Sequence, residues 1–157
     1  MVRETKFVTE AQTILATYRA DMSYRPMFIA PETRHFWVTT FTVRPGREEA
    51  FASVMKAYVA AYGAANVAIP WVTYRMVAGG TNPTYYAIVP MESYSTIDAD
   101  LANMAAVGSK FPSPAKLADA FSESTDRVDT EVLTISPQIS MVPESFANQD
   151  KEFWNAK

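Results

Sequence analysis

The chain contains no cysteine, a single histidine (His35) and only five glycines among its 157 residues. Without cysteine there are no disulfides, no thiolate nucleophile and no thiolate metal site. With one histidine, neither a multi-histidine metal site nor a zincin-type helix can be assembled, and nothing in the sequence calls for a metal or another cofactor. Positive charge is not in excess: 14 basic against 17 acidic side chains leave a formal net charge of −3, with a pI near 5.2. That balance provides no basic footprint for nucleic acid or for an acidic membrane surface. No stretch approaches the roughly 18 consecutive apolar residues of a membrane-spanning helix. The opening Met1-Val2-Arg3-Glu4-Thr5-Lys6 does not have the pattern of a signal peptide. Localisation stays open, because absence of cysteine fits reducing and oxidising compartments alike.

What the chain does have is apolar and aromatic mass. Apolar residues make up 48% of it, including nine Phe, eight Tyr and three Trp, enough for one domain with a substantial core. A chain of this size buries about 68–70% of the surface its unfolded form exposes.

The periodicities divide the chain into elements. Residues 5–18 place Phe7, Ala11, Ile14, Leu15 and Tyr18 at helical spacings and predict a short amphipathic helix. Residues 21–29 contain Pro26 and read as an edge strand or a linker. His35 to Arg44 is a run of β-branched and aromatic residues stopped by Pro45-Gly46, a strand followed by a turn. Between Arg47 and Ala65, Phe51, Val54, Met55, Tyr58, Val59 and Tyr62 fall on one helical stripe. Trp71–Ala78 and Thr84–Val89 flank a Gly79-Gly80 loop as an antiparallel hairpin. Helices are predicted from Ser95 or Thr96 to Val107 and over 115–129, and a last strand over 131–136.

From residue 35 onward the order is β-α-β-β-α-β. This predicts an α+β, ferredoxin-like fold: a four-stranded antiparallel sheet with both helices on one face. Both parities of the strands are apolar, with Phe36 and Val38 on one side of the first strand and Trp37, Phe41 and Val43 on the other. The helices cover one face, and the other asks for a partner, since monomers seldom expose so large an apolar patch. A second sheet, from another chain or another repeat, would close a dimeric or pseudo-dimeric α+β barrel.

Residues 17–26 align without gaps on 134–143, sharing Thr, Ser and Pro at an offset of 117 positions. Chance similarity between two helix-to-strand exits gives the same pattern. The alignment divides the chain into residues 1–31 as the remnant of a preceding repeat, 32–143 as the main domain, and 144–157 as a C-terminal tail. Phe146, Phe153 and Trp154 mark that tail as a docking rather than a disordered segment.

The strings Ser23-Tyr24-Arg25-Pro26, Val38 to Phe51 (VTTFTVRPGREEAF), Tyr74 to Ala99 (YRMVAGGTNPTYYAIVPMESYSTIDA) and Ser136 to Pro143 (SPQISMVP) resemble the dimeric α+β barrel superfamily. That group holds antibiotic-biosynthesis monooxygenase-like, EthD-like and NIPSNAP-like domains, and the likeness is to its uncharacterised, often exported tandem-repeat bacterial members. The resemblance implies a fold and self-association; no catalytic motif accompanies it.

Three functions follow as expectations. The first is a self-associating module, a homodimer or higher oligomer, that holds a small apolar ligand. The second is a cofactor-free monooxygenase or isomerase acting on an aromatic or apolar small molecule. The third is a structural protein that assembles by exchanging its terminal segments. The candidate ligand-binding residues are Trp37, Trp71, Tyr74, Arg75, Tyr85 and Tyr86; catalytic residues are not assigned and no metal ligands are expected. Alternation splits these six between two faces and does not say which face is functional. His35 reads as a strand-end histidine, whereas the haem-degrading relatives place theirs on a helix. Asp98 and Asp100, and Glu123 and Asp126, read as solvated helix faces.

Overall fold

In the computed structural model, which describes residues 11–155 apart from Phe28 and Asn82, strands and helices build one antiparallel sheet with helices packed against it. The strands are β1 (Leu15–Tyr18), β2 (His35–Val43), β3 (Val72–Ala78), β4 (Thr84–Met91) and β5 (Thr125–Thr134), in the spatial order β1-β3-β4-β2-β5. The helices are α1 (Glu48–Ala64), α2 (Ser95–Gly108), α3 (Pro114–Ser124) and two single turns near the C-terminus, α4 (Glu144–Ala147) and α5 (Lys151–Trp154). Strand β2, almost wholly β-branched or aromatic, pairs along its length with β4 on one side and β5 on the other. Helix α1 starts with Glu48 and Glu49, whose charges suit the positive end of its dipole, and buries Phe51, Ala52, Val54, Met55, Ala61 and Tyr62.

The four-stranded, ferredoxin-like sheet closed into a barrel is not what forms. The sheet has five strands and is open, with β1 and β5 at opposite edges. The extra strand comes from a segment whose spacing predicts a helix. Leu15–Tyr18 instead pairs antiparallel with β3, and the ladder continues through the Arg19 N–H to the Thr73 carbonyl at 2.8 Å. Helical spacing lost here to the backbone groups that the edge of β3 offers over its whole length. Of the rest of that predicted helix, residues 11–14 have no regular structure and residues 5–10 lie outside the described residues. Residues 20–22 form a 3-10 turn, and Tyr24 makes an isolated bridge to Trp71. Further along, α3 ends at Ser124 rather than 129, and β5 begins at once; pairing with all of β2 extends the strand well before residue 131.

Gly79 explains how β1 approaches the hairpin. It has φ +97°, and a Cβ there would run into the backbone of Thr13 and Ile14. Its carbonyl accepts a hydrogen bond from the Gln12 amide at 2.6 Å.

Register defines the two faces. On the inner face, beneath the helices, lie Trp37, Thr39 and Phe41 of β2, beside Val89, Ala87 and Tyr85 of β4. The outer face has Val38, Ile88 and Val72 in one row and Thr40, Tyr86, Tyr74 and Tyr18 in the next, with Phe36 beside Leu133. The sequence expectation that this face needs a second sheet overstated its exposure. Val38, Val72, Met76 and Pro90 are already buried in the single chain, while Phe36, Tyr74, Tyr86 and Ile88 are half-buried and Leu133 is exposed.

The core divides in two. Met22, Val43, Phe51, Ala52, Met55 and Tyr85 pack together with Phe41 and Phe121 against them. Tyr24, Ala61, Tyr62, Val67, Trp71 and Val107 form the second cluster. The aromatic tail docks on its own chain: the Trp154 indole donates to the Pro31 carbonyl at 2.9 Å. Arg34 pairs with Asp150 and lies 3.8 Å from the Phe153 ring centroid. Among the described residues no helix is long and apolar enough to cross a membrane.

Candidate functional site

The inner face of a pleated strand presents every second residue, so β2 directs Trp37, Thr39 and Phe41 to one side and β4 adds Ala87 and Val89. Opposite them, α1 presents Met55, Tyr58 and Tyr62 at successive turns of one stripe. The small Ala87 side chain leaves room between these layers. The result is a cleft of about 250 Å³, closed at its sides by Ile69 and Trp71, by Asp100 of α2 and by Phe121 of α3.

Its aromatic wall is held by hydrogen bonds. The Trp71 indole donates to the Met22 carbonyl at 2.8 Å. The Tyr24 hydroxyl donates to the Val67 carbonyl at 2.8 Å, and Tyr24 sits 5.1 Å from Trp71 between ring centroids. Tyr62 meets the same Trp71 edge-on, with centroids 4.8 Å apart and an interplanar angle of 82°. Edge-to-face contacts of this kind fix ring orientation as well as burying area.

Besides Thr39, one hydrogen-bonded polar pair interrupts the apolar lining. The Tyr62 hydroxyl donates to Asp100 Oδ1 at 2.8 Å. Burial pushes the Asp100 carboxyl above its ordinary range, opposed by the hydrogen bond from Tyr62. Burial and the neighbouring carboxylate likewise push the Tyr62 phenol up. The pair is therefore a phenol donating to a carboxyl group that has lost part of its hydration. Such a group can accept a hydrogen bond or a proton from something bound beside it. Among the described residues no three His, Asp or Glu side chains converge as metal ligands.

Of the six residues singled out from sequence, the structure brings Trp37 and Trp71 together in this cleft. Tyr85 shares their face but is buried in the dense cluster, 4.9 Å from Phe51 between ring centroids. Arg75 pairs with Tyr85 and Thr17 near the β1 edge, outside the cleft. Tyr74 and Tyr86 lie on the outer face, where Tyr74 packs on Tyr18 and the Tyr86 hydroxyl reaches Met76 Sδ at 3.7 Å. His35 stands at the start of β2, stacked on Tyr94 and 3.0 Å from Thr134 Oγ1.

Asp100, Tyr58, Tyr62 and Phe121 were not among the sequence candidates. Asp98 is exposed, as expected of a solvated face, but Asp100, read together with it, is half-buried. The available signal was its position three residues after Ile97 and four before Met104, on the apolar stripe of α2.

No protein-family model matches this chain, and no curated protein matches it. With an open five-stranded sheet in place of a closed barrel, the resemblance to the dimeric α+β barrel superfamily is not upheld.

Proposed function

We propose that the protein binds a small, mostly apolar molecule in the cleft between β2, β4 and α1. The observation that carries this reading is an aromatic wall already fixed by hydrogen bonds around about 250 Å³ of space, with one polar pair at its margin. A dry apolar cavity of about 150 Å³ takes up a benzene molecule, so this one accommodates a single ring with a short substituent. Aromatic lining with few oriented polar groups is the usual character of such sites.

The test uses toluene and the three indole N–H resonances of the 15N-labelled protein. Signals of Trp37 and Trp71 should shift on titration while Trp154, in the docked tail, stays in place as an internal control. Ala87→Leu, which fills the cleft, should abolish the response. Equal shifts at all three indoles would reduce the effect to non-specific contact and overturn the reading.

A second reading is favoured by the outer face, where Phe36 pairs with the exposed Leu133 and Ile88 is half-buried. In it, a second copy of the chain covers that face. Sedimentation equilibrium of the native chain and of Leu133→Glu decides it: a dimer dissociated by the substitution supports the reading, and a monomer at all concentrations removes it.

A further inference from the structure

The cleft is chemically one-sided. Its only ionisable acid of ordinary strength is Asp100, and among the described residues no Lys, Arg or His lines it. The rings of Trp37, Trp71, Tyr58, Tyr62 and Phe121 surround the remaining space. Aromatic faces carry the negative part of a quadrupole, which attracts a cation and repels an anion. The Asp100 carboxylate adds a full negative charge at the same margin. It receives one hydrogen bond among the described residues, through Oδ1 from Tyr62, which leaves acceptor capacity on the group.

From this arrangement we infer that the cleft selects a hydrophobic organic cation, an ammonium group attached to an aromatic or compact alkyl body. The ring enters between β2 and α1, and the ammonium lies against the aromatic faces within reach of Asp100. This inference rests on the cleft being a ligand site and specifies what that site takes. Each part of the ligand has a counterpart. The apolar body replaces empty space, the π-faces favour positive charge, and the carboxylate offsets the ammonium's lost hydration. Burial, which holds the Asp100 carboxyl high in the free protein, works in the same direction: a bound cation restores a partner to a charge the fold has partly stripped of water.

The experiment compares three probes of one shape on the full chain by calorimetry: phenethylammonium, 2-phenylethanol and 3-phenylpropionate. The cation should bind about tenfold tighter than the alcohol, the gain expected of a partly desolvated cation–π contact together with a carboxylate, and the anion should bind least. Asp100→Asn should remove most of the cation's advantage over the alcohol, a selective change that simple loss of structure does not produce. Asp98→Asn, on the same helix and exposed, should change neither. Should Asp100→Asn fail to fold, Trp37→Leu serves instead, and it should weaken the cation more than the alcohol. If alcohol and ammonium bind equally, the cation preference is wrong while the ligand site stands. If none of the three binds, both are wrong.

Discussion

The two halves of helix α1 face different kinds of interior. Its first turns carry Phe51, Ala52 and Met55 into a cluster with Met22, Val43 and Tyr85, where Met22 and Phe51 have no exposed surface. Its later turns carry Tyr58 and Tyr62 to the cleft, roofed in part by α2. That helix buries a single residue, Val107, and leaves Leu101 63% exposed. The carboxylates at the two ends repeat the contrast. Hydrogen bonds from Arg19, opposed by some burial and reinforced by Lys56, hold Asp21 well below the usual carboxylate range. Asp100 is held above it by burial. One end of the fold is thus filled and electrostatically satisfied, and the other keeps a gap and a stressed charge. Dense packing supplies stability, whereas unfilled, partly desolvated space is what a ligand can complete.

The largest effect expected from this contrast is on stability. Phe51→Ala should cost about 3–5 kcal/mol, as deletion of a fully buried aromatic does, and Tyr58→Ala only about 1 kcal/mol. Urea unfolding measures both. Equal costs would mean that the two ends are packed alike. Native-state hydrogen exchange gives the next test. Amides of α2 should open at least about 2 kcal/mol below the global unfolding energy, while those of α1 around Val54 should exchange only by near-global unfolding.

The carboxylates differ in sign with pH. Asp21 has a lowered folded pKa, so its stabilisation is present above the ordinary carboxylate range and is lost as pH falls through its depressed value. Its side chain is 40% exposed, so solvent screening keeps the contribution small. Asp100 has a raised folded pKa, so the native state is favoured below the ordinary carboxylate range and that advantage disappears as pH rises through the raised value. Urea midpoints at about pH 3 and about pH 7 should respond oppositely. Asp21→Asn should cost more at the higher pH than at the lower. Asp100→Asn should be relatively more stabilising at the higher pH. Parallel responses would show that the two ends do not differ electrostatically.

The sequence disclosed these regions unequally, for reasons visible in particular residues. Helix α1 was legible because its apolar stripe recurs over 17 residues, and β2, β3 and β4 because their β-branched and aromatic runs end in turn residues. Strand β1 was not, since its four residues are all exposed and carry no burial alternation; the edge of β3 determines its conformation. The start of β5 was hidden likewise, because Thr125 to Glu131 is largely polar on both faces of an edge strand. Trp37 and Trp71 could be selected by type alone. Tyr74 and Tyr86 were indistinguishable from them until the helices showed which face is inner. Asp100 depends on Tyr62, 38 positions away, a partnership that no local pattern encodes. The barrel was inferred from apolar residues on both parities of the strands, and on the outer parity Val38 is already buried within the single chain.

The smallest expected effect is the one most specific to the cleft end. Leu101 sits on α2 one position beyond Asp100 and is mostly exposed, so Leu101→Ala should change global stability by no more than about 0.5 kcal/mol. The buried Val107 on the same helix should behave differently, because Val107→Ala trims the one buried apolar side chain that α2 places in the second cluster. Hydrogen exchange on the two variants separates anchoring from mere proximity. Val107→Ala should speed exchange along α2 with little change in α1, whereas Leu101→Ala should leave both helices as they were. If Leu101→Ala loosened α2 as much as Val107→Ala, the helix would be held by contacts along its length, and the cleft would have a fixed roof.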